Sequence, residues 1–276
     1  MADFLPYTEW LGTLGWIEKG ECVYIVSDMM ELAKIYKEQG QRLELNALID
    51  RLKQLAGEEG TLLFPTFNWD FCQGTGFDYY KTPVRTGALS KAALKREDFA
   101  RTAHPLYSFA VWGAHRQELL ENESADAFGP GTIFEKLYDW DAKVLVIGLS
   151  PLQGVTYIHH VEQEVGVPYR YNKDFTGNYT DAQGVCTQRT YRMYVRDLDM
   201  DPKHINGFKP LAEKMQSEGL IRTADYCGAV PCHLLQIRDL DRAVREDILK
   251  NDSRNMYVYR HIHIHSREGK CTGVSE

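Results

Sequence analysis

Residues 21–28, with the sequence ECVYIVSD, join an apolar run to a serine and an aspartate. The run has the length of one buried strand, and the two side-chain oxygens that follow can satisfy the free N–H groups at a helix start. A helix is therefore predicted from this point to about residue 39. A second helix pattern at 43–55 and a strand at 61–64, which Pro65 ends, complete a β-α-β rhythm. That rhythm predicts a partly parallel sheet covered by helices.

The rest of the chain extends this pattern with two exceptions. Residues 68–104 are rich in Gly, Pro and aromatics, and loops of that length are usually functional. Residues 165–205 fit no element that can be assigned. We expect one α/β domain over residues 1–276, with a central mixed, partly parallel sheet, helices on both faces and a loose tail at 265–276. The further predicted elements are helices at 8–14, near 118, at 133–140, around 156–162, at 209–218 and at 239–249, and strands at 143–148 and 257–265.

Composition limits the classes of function. The 276 residues are 43% hydrophobic, which excludes wholesale disorder, and 32 basic against 39 acidic residues give a net charge of −7. General nucleic-acid binding would need the opposite sign. The N-terminus lacks a signal-peptide pattern, and no apolar run reaches the roughly 18 residues of a membrane-spanning helix. Six cysteines without CxxC spacing are typical of reduced thiols, so a cytoplasmic protein is predicted.

The segment 156–162, TYIHHVE, carries the clearest chemical signal. On a helix, His159 and Glu162 are three residues apart and share a face. A carboxylate beside an imidazole raises its basicity and fixes its tautomer, as a general base requires. The same spacing also fits a surface His–Glu pair. His160 points elsewhere on the helix and need not belong to the same site.

Two other groups of residues follow predicted strands. Asp70 lies just beyond the strand that ends at Pro65, where α/β folds usually place ligands, although a turn residue or a helix cap explains it too. The run from Arg101 through His104 to Ser108 combines a cation, an imidazole and a hydroxyl beside a proline-fixed bend. It could bind an anionic or amide-rich ligand, and a structured turn explains it equally well.

Several other motifs fail on inspection. The glycine after the apolar strand, at 148–150, lacks the further glycines of a dinucleotide fingerprint. The calcium-loop start at 197–201 lacks its sixth-position Gly and twelfth-position Glu. The loop at 73–78 has misplaced glycines for the pyrophosphate loop of the common N-acetyltransferase superfamily. His261, His263 and His265 alternate on one predicted strand face and could hold a metal, but we favour a plain edge strand.

Taken together, the chain resembles the aminoglycoside 3-N-acetyltransferase family, from about residue 8 to 253. So many elements in one order are specific to that family. Departures are Asp28 and Tyr157 where the family usually has serine or threonine, Thr102 where serine is usual, and 165–201 without a match. The matching elements are residues 20–27, 60–67 and 83–89, then Arg101, His104, Pro105, Ser108, Ala110 and Gly113, then 129–148, and finally Thr156, His159 and Glu162.

The resemblance implies an N-acetyltransferase that moves acetyl from acetyl-CoA to an amine of an amino sugar. His159 would be the general base, Glu162 would orient it, and Asp70 would complete a triad or hold the acceptor ammonium. No metal is required by this chemistry, and a homodimer is compatible with it. Competing hypotheses are a metal-dependent hydrolase and a non-catalytic module that binds coenzyme A or a sugar. The residues implied to contact coenzyme A are Ser27, Asp28, Met29, Arg101, His104 and Ser108.

The acceptor itself has two candidate classes. A polycationic aminoglycoside antibiotic needs several carboxylates around its pocket, which Asp70, Asp78 and Asp174 could supply. Residues 168–173, PYRYNK, instead interleave cations with aromatics, which suits an anionic, nucleotide-linked amino sugar. We rank the antibiotic slightly ahead because it is the acceptor for which the family is named.

Overall fold

The protein is described by a computed structural model that covers residues 4–200 and 203–258. Short 3₁₀ turns lie at Asp70–Gln73 and Asn206–Phe208. The helices are α1 (Tyr7–Thr13), α2 (Met30–Glu38), α3 (Leu45–Ala56), α4 (Ala88–Leu94), α5 (Arg116–Leu120), α6 (Ile133–Asp139), α7 (Tyr157–Val165), α8 (Lys209–Ser217) and α9 (Ile237–Asn251). The strands are β1 (Cys22–Ser27), β2 (Thr61–Pro65), β3 (Phe77–Asp78), β4 (Ala100–Arg101), β5 (Phe109–Gly113), β6 (Lys143–Ile147), β7 (Arg170–Thr180), β8 (Cys186–Arg196), β9 (Lys203–His204), β10 (Ile221–Tyr226), β11 (Val230–Gln236) and β12 (Tyr257–Val258).

The main sheet has seven strands in the order β10-β11-β6-β1-β2-β5-β4. Strand β1 lies in the middle and is parallel to both β2 and β6, whereas β5 and β11 pair antiparallel with these neighbours. The predicted mixed, partly parallel sheet is therefore confirmed. Its three parallel strands end at the same edge, where α/β folds place ligands.

The two faces of the sheet bury separate apolar clusters, because side chains alternate along each strand. Tyr24 and Val144 face one cluster, which contains apolar residues of α6 to α9. Val23 and Ile25 face the other, which contains residues of α1 to α4. Helices thus cover both faces, as expected. No helix within the described residues is long and apolar enough to cross a membrane.

Glycine at position 148 allows β1 and β6 to meet at this edge. Gly148 has a φ of +71°, and a Cβ there would lie 2.2 Å from the carbonyl oxygen of Asp28. Only glycine adopts this backbone conformation with the neighbouring chain so close. The segments after both strands are therefore held side by side.

The unassigned segment forms a long hairpin. Strands β7 and β8 pair over eleven residues each, and β7 also pairs with the short β3 to give a separate three-stranded sheet. Most hairpin side chains are exposed, so no clear apolar pattern marked them in the sequence. Helix α2 begins at Met30 with Met29 as its N-cap, and the Asp28 carboxylate accepts a hydrogen bond from the Met30 N–H at 2.9 Å. The predicted histidine strand at 261–265 lies outside the described residues.

Candidate active site

Helix α7 carries the predicted base and carboxylate on one face. Nδ1 of His159 lies 2.7 Å from Oε2 of Glu162, and the Glu162 side chain is completely buried. The His159 side chain retains 21% of its surface exposed to solvent, and its ring packs edge-on against Phe128 with centroids 5.5 Å apart. The pair is therefore not a surface ion pair. It connects a buried carboxylate to a partly open imidazole.

Three residues from outside the helix saturate the buried carboxylate. Arg170, at the start of β7, places Nε 2.7 Å from Oε2 of Glu162 as an ion pair. The hydroxyls of Tyr169 and Tyr257 both donate to Oε1, at 3.1 and 2.5 Å. Burial alone would raise the pKa of Glu162, but the charges of Arg170 and His159 and these hydrogen bonds lower it to about 2. Glu162 is therefore ionised throughout the physiological range.

The ionised carboxylate assigns the tautomer of the imidazole. An ionised Glu162 only accepts, so we assign the proton to Nδ1 of His159. Nη2 of Arg170 also lies 3.0 Å from Nδ1 of His159. This N–H group can donate instead to the hydroxyl oxygen of Tyr257, which is 3.4 Å away, so the contact does not require an unprotonated Nδ1. The described residues give Nε2 no hydrogen-bond partner. Burial and the charge of Arg170 lower the pKa of His159 against the opposing effect of Glu162, so the ring is neutral and basic at Nε2.

A cavity of about 760 Å³ opens at the shared edge of the parallel strands. Its lining residues follow the ends of β1, β2 and β6. The predicted coenzyme contacts Ser27, Asp28 and Met29 line it. Thr156, directly before α7, is also in the wall, so the cavity reaches the helix that carries His159. The remaining lining residues are Val26, Met30, Ala33, Leu43, Leu45, Pro65, Phe67, Trp69, Arg85, Thr86, Gly87, Ala88, Leu149 and Gly154.

Asp70 lies at the same edge of the sheet but pairs with a different partner. Its Oδ2 is 2.8 Å from Nη2 of Arg85, which lines the cavity, and 3.3 Å from Nδ2 of Asn68. Arg85 lowers the pKa of Asp70. No hydrogen bond or ion pair joins Asp70 to His159 or Glu162 in the described structure. The position that the triad hypothesis gave to Asp70 beside the His–Glu pair is taken by Arg170.

The remaining predicted coenzyme contacts, Arg101, His104 and Ser108, do not line the cavity. Arg101 is 2% exposed, and its guanidinium donates to the carbonyls of Thr82 and Thr66 and to the hydroxyl of Ser108. Burial lowers the pKa of Arg101 to about 10. These bonds tie the loop before Arg85 to the end of β2, so Arg101 and Ser108 support the cavity wall from behind.

His104 is also turned inward. Its Nδ1 accepts hydrogen bonds from the N–H groups of Leu106 and Tyr107, at 3.2 and 3.1 Å. Burial lowers its pKa to about 3, so it stays neutral. Through these two hydrogen bonds, His104 shapes the bend after Pro105.

His160 does not join the candidate site. Its Nδ1 lies 2.5 Å from the carbonyl oxygen of Phe128, and its ring is buried. Residues 4–200 and 203–258 contain no group of three or more His, Cys, Asp or Glu side chains placed to hold a metal ion. The metal-dependent hydrolase hypothesis therefore gains no support from the part of the chain that is described.

Sequence reasoning missed Arg170, Tyr169 and Tyr257. Arg170 and Tyr169 lie in the segment without an assigned element, and Tyr257 is 95 residues beyond Glu162. The PYRYNK run was noted for its cations and rings, but no spacing rule connects it to α7. Only the folded chain brings these groups together.

Comparison with known proteins agrees with this architecture. The sequence profile described as aminoglycoside 3-N-acetyltransferase matches residues 25–248. The chain belongs to this family. Membership confirms the predicted enzyme class, an N-acetyltransferase.

Individual members of the aminoglycoside 3-N-acetyltransferase family are distant relatives. The SPbeta prophage-derived aminoglycoside N(3')-acetyltransferase-like protein YokD of Bacillus subtilis (strain 168) is 23% identical over 273 residues, covering 90% of this chain and 93% of YokD. Aminoglycoside acetyltransferase AAC(3)-Xa superposes with a TM-score of 0.72 at 22% identity, over 87% of this chain and 90% of its own. AAC-IIIb, solved as a binary complex with CoASH, superposes with a TM-score of 0.72 at 19% identity, over 88% of this chain and 95% of its own. The shared fold spans nearly the whole chain.

Proposed function

We propose that this protein transfers the acetyl group of acetyl-CoA to an amine of an aminoglycoside or related amino sugar, with His159 as the general base. One observation carries the proposal: Nδ1 of His159 lies 2.7 Å from a buried, ionised Glu162, which leaves Nε2 as the basic atom. An imidazole held in this way is suited to accept a proton from an attacking amine.

The cavity fits the donor. Its wall is mostly apolar, with Met29, Met30, Phe67 and Trp69 among the lining residues, which suits the pantetheine arm. Arg85 adds a cation at the same wall that can face a coenzyme phosphate. Family membership supports the same donor, and so does the relative AAC-IIIb, which was solved with CoASH.

The proposed reaction is a direct acyl transfer. The amine nitrogen attacks the thioester carbonyl carbon, the C–S bond breaks, and coenzyme A leaves as the thiol. Nε2 of His159 takes the proton that the nitrogen loses, and this proton can pass to the departing sulfur. Glu162 holds Nδ1–H in place and stabilises the imidazolium as it forms. The Glu162 carboxylate stays ionised throughout this step, because its pKa is lowered to about 2.

The other predicted site residues take more distant roles in this proposal. Asp70 would bind the acceptor ammonium and give up part of its contact with Arg85. Arg101 and Ser108 act indirectly, because they fix the end of β2 and the loop that carries Arg85. His104 likewise shapes the bend between them.

The test is release of free thiol from acetyl-CoA in the presence of a panel of amines. His159→Ala is expected to lower kcat by about 10² to 10⁴, the usual contribution of a positioned general base. Glu162→Gln should also lower it, since an amide leaves Arg170 without its buried counter-ion and removes the charge that stabilises the imidazolium.

His115→Ala is the matched control, because the His115 ring stacks on Trp140 rather than lying in the site. Its kcat should equal that of the wild type. Full turnover in His159→Ala would remove His159 from the base role. Turnover that a chelator abolishes would instead favour the hydrolase hypothesis.

A further inference from the structure

The hydroxyl of Thr156, directly before α7, is not engaged in holding the helix. A threonine in this position usually accepts a hydrogen bond from the first helical turn, but Thr156 has helical backbone angles and its side chain makes no capping bond. Within the described residues its hydroxyl makes one long hydrogen bond, to the carbonyl oxygen of Gly154 at 3.5 Å. Because Thr156 lines the cavity, this hydroxyl is available to a molecule bound there.

A second hydroxyl without a partner lies beside Thr156. Tyr24, in the central strand β1, is completely buried, and its Oη has no hydrogen-bond partner of ordinary geometry in the described part of the chain. The segment before α7 packs closely on β1, since a Cβ at Gly154 would lie 3.1 Å from Cγ1 of Val26. The side chain and the backbone N–H of Thr156 oppose the rise that burial causes in the pKa of Tyr24, because both can hydrogen-bond to its Oη. Buried polar groups are normally hydrogen-bonded, so an unpaired hydroxyl directed at Thr156 points to a role at that residue.

The first N–H group of α7 is a further free donor. The N–H of His159 donates to the carbonyl of Thr156 at 2.9 Å, whereas no described residue accepts a hydrogen bond from the N–H of Tyr157. Free N–H groups at the start of a helix carry partial positive charge and bind anionic oxygens. The Thr156 hydroxyl and the Tyr157 N–H therefore offer two neighbouring donors beside the cavity.

His159 follows these donors by one helical turn. Because Thr156 also has helical backbone angles, it shares a face of α7 with His159, and Cβ atoms three residues apart on a helix are about 5–6 Å apart. A thioester bound at this face can meet both residues. Its oxygen gains negative charge as the amine attacks, and preorganised donors at that oxygen are usually the largest contribution to the catalysis of acyl transfer.

We propose that Thr156 and the N–H of Tyr157 bind the thioester oxygen as it becomes negative, and that Tyr24 positions the Thr156 hydroxyl for this contact. The Tyr24 hydroxyl donates to Oγ1 of Thr156, which leaves the proton of Thr156 directed at the substrate oxygen. Thr156 is then a catalytic residue and Tyr24 a positioning residue. This inference rests on the proposed acetyl transfer and names the groups that stabilise its transition state.

The electron movements match those of the proposed reaction. Attack forms the C–N bond and places the π electrons of the carbonyl on its oxygen, where the two donors stabilise the charge. These electrons then re-form the C=O bond, and the C–S bond breaks with its electron pair on sulfur. The proton that Nε2 of His159 takes from the nitrogen passes to that sulfur. No step consumes a further reactant.

Substitutions at Thr156 test the donor directly, with thiol release from acetyl-CoA and an amine that the wild type acetylates. Thr156→Val keeps the shape of the side chain and removes the hydroxyl, so kcat should fall about 10²- to 10³-fold, the usual cost of losing one such donor. KM for acetyl-CoA should change little, because the contact strengthens only in the transition state. Thr156→Ser restores the hydroxyl and should recover most of the lost kcat.

Tyr24→Phe tests the positioning role. It should lower kcat about tenfold when Thr156 is present, the size of one hydrogen bond, and should have no further effect in Thr156→Val, because Tyr24 acts only through that hydroxyl. The matched control is Tyr7→Phe, which removes another buried hydroxyl that has no hydrogen-bond partner among the described residues, on the other face of the sheet. Its kcat should equal that of the wild type. Urea unfolding of each variant measures any loss of stability separately.

Three results would overturn the inference: a wild-type kcat in Thr156→Val, a kcat in Thr156→Ser as low as in Thr156→Val, or an equal loss from Tyr24→Phe in both backgrounds. The acetyl transfer would still stand in each case if turnover depends on His159. A wild type that releases no thiol with any amine would instead overturn the proposed function, and this inference with it.

Discussion

The hydroxyl of Tyr257 lies 2.5 Å from Oε1 of Glu162, although 95 residues separate them. Tyr257 belongs to the two-residue strand β12, which pairs with β9 rather than with the main sheet. A peripheral segment of the chain thus contributes to the most buried part of the candidate site. Tyr257 is a positioning residue in this arrangement, because it acts through Glu162.

Tyr257→Phe is therefore expected to lower kcat about tenfold with little change in KM, because a hydrogen bond to a buried charged group contributes roughly 1.5–3 kcal/mol. The variant should also shift the acidic limb of the pH profile upward, since Glu162 then directs more of its charge to His159. The matched control is Tyr226→Phe, which removes a hydroxyl bonded to the Leu5 carbonyl. A kcat loss shared by both variants would indicate only a loss of stability.

The pH dependence of turnover follows from the lowered pKa of His159. The neutral form of His159 persists below pH 6.5, the ordinary pKa of histidine. The apparent pKa of the acidic limb of kcat/KM should therefore be lower than 6.5. Arg170→Gln removes a charge that lowers this pKa, and the limb should move to higher pH. Arg170→Lys should keep most of the shift, because it keeps the charge.

The control for this series is Arg192→Gln, whose charge pairs with Asp174. All variants are measured with the same acceptor, so that the titration of the acceptor amine is common to them. A limb at the same pH in Arg170→Gln as in the wild type would contradict the assignment of Arg170 as the group that lowers the pKa of His159.

The proposed donor site predicts a change in binding without a change in chemistry. Ala33 lies on the exposed side of α2 and lines the cavity. Ala33→Trp should fill part of the cavity and raise KM for acetyl-CoA about tenfold or more, with kcat nearly unchanged. Lys37→Trp, on the same helix, places an equal ring outside the cavity and should leave KM as it is. Equal KM values for acetyl-CoA in the two variants would show that the donor does not bind in this cavity.

The lowered pKa of His104 predicts a loss of stability in acid. Burial lowers the pKa of His104 from 6.5 in the unfolded chain to about 3, so the folded state binds fewer protons between these values. Its contribution is present above about pH 6.5 and is lost as the pH falls toward 3, with a slope of at most about 1.4 kcal/mol per pH unit.

Urea unfolding at pH 7 and pH 5 measures this effect. His104→Asn keeps an acceptor for the N–H groups of Leu106 and Tyr107 but does not titrate. The difference in unfolding free energy between the two pH values should therefore be smaller in the variant. An equal difference would assign the acid sensitivity to other groups.

Sequence reasoning identified the parts of the fold that local periodicity determines. The strand that contains Val146 could be predicted because it is a continuous apolar run of strand length, and the helix that contains His159 because His159 and Glu162 have helical spacing. The contact between His159 and Glu162 also follows from helical spacing alone. The start of α2 was less accurate, since the N-cap is Met29 rather than Ser27 or Asp28.

The rest depends on contacts between distant parts of the chain. The hairpin was missed because its side chains are largely exposed on both strands and give no apolar stripe. The partner of Asp70 could not be read from the sequence, because Arg85 and Arg170 are equally plausible cations until the loops are folded. Positions in the sequence identify charged groups, but only packing decides which of them meet.

The separation of the two sheets has a consequence for how far the effect of a substitution spreads. The hairpin surface around Lys173 belongs to the three-stranded sheet, whereas the cavity lies at the edge of the seven-stranded one. Substitutions on the exposed side of the hairpin therefore leave the strand pairing beneath the cavity undisturbed. Arg170 is the exception, because it begins the hairpin and also holds Glu162. A substitution of Arg170 would therefore act on both sheets at once, whereas one at an exposed hairpin position would act on the hairpin alone.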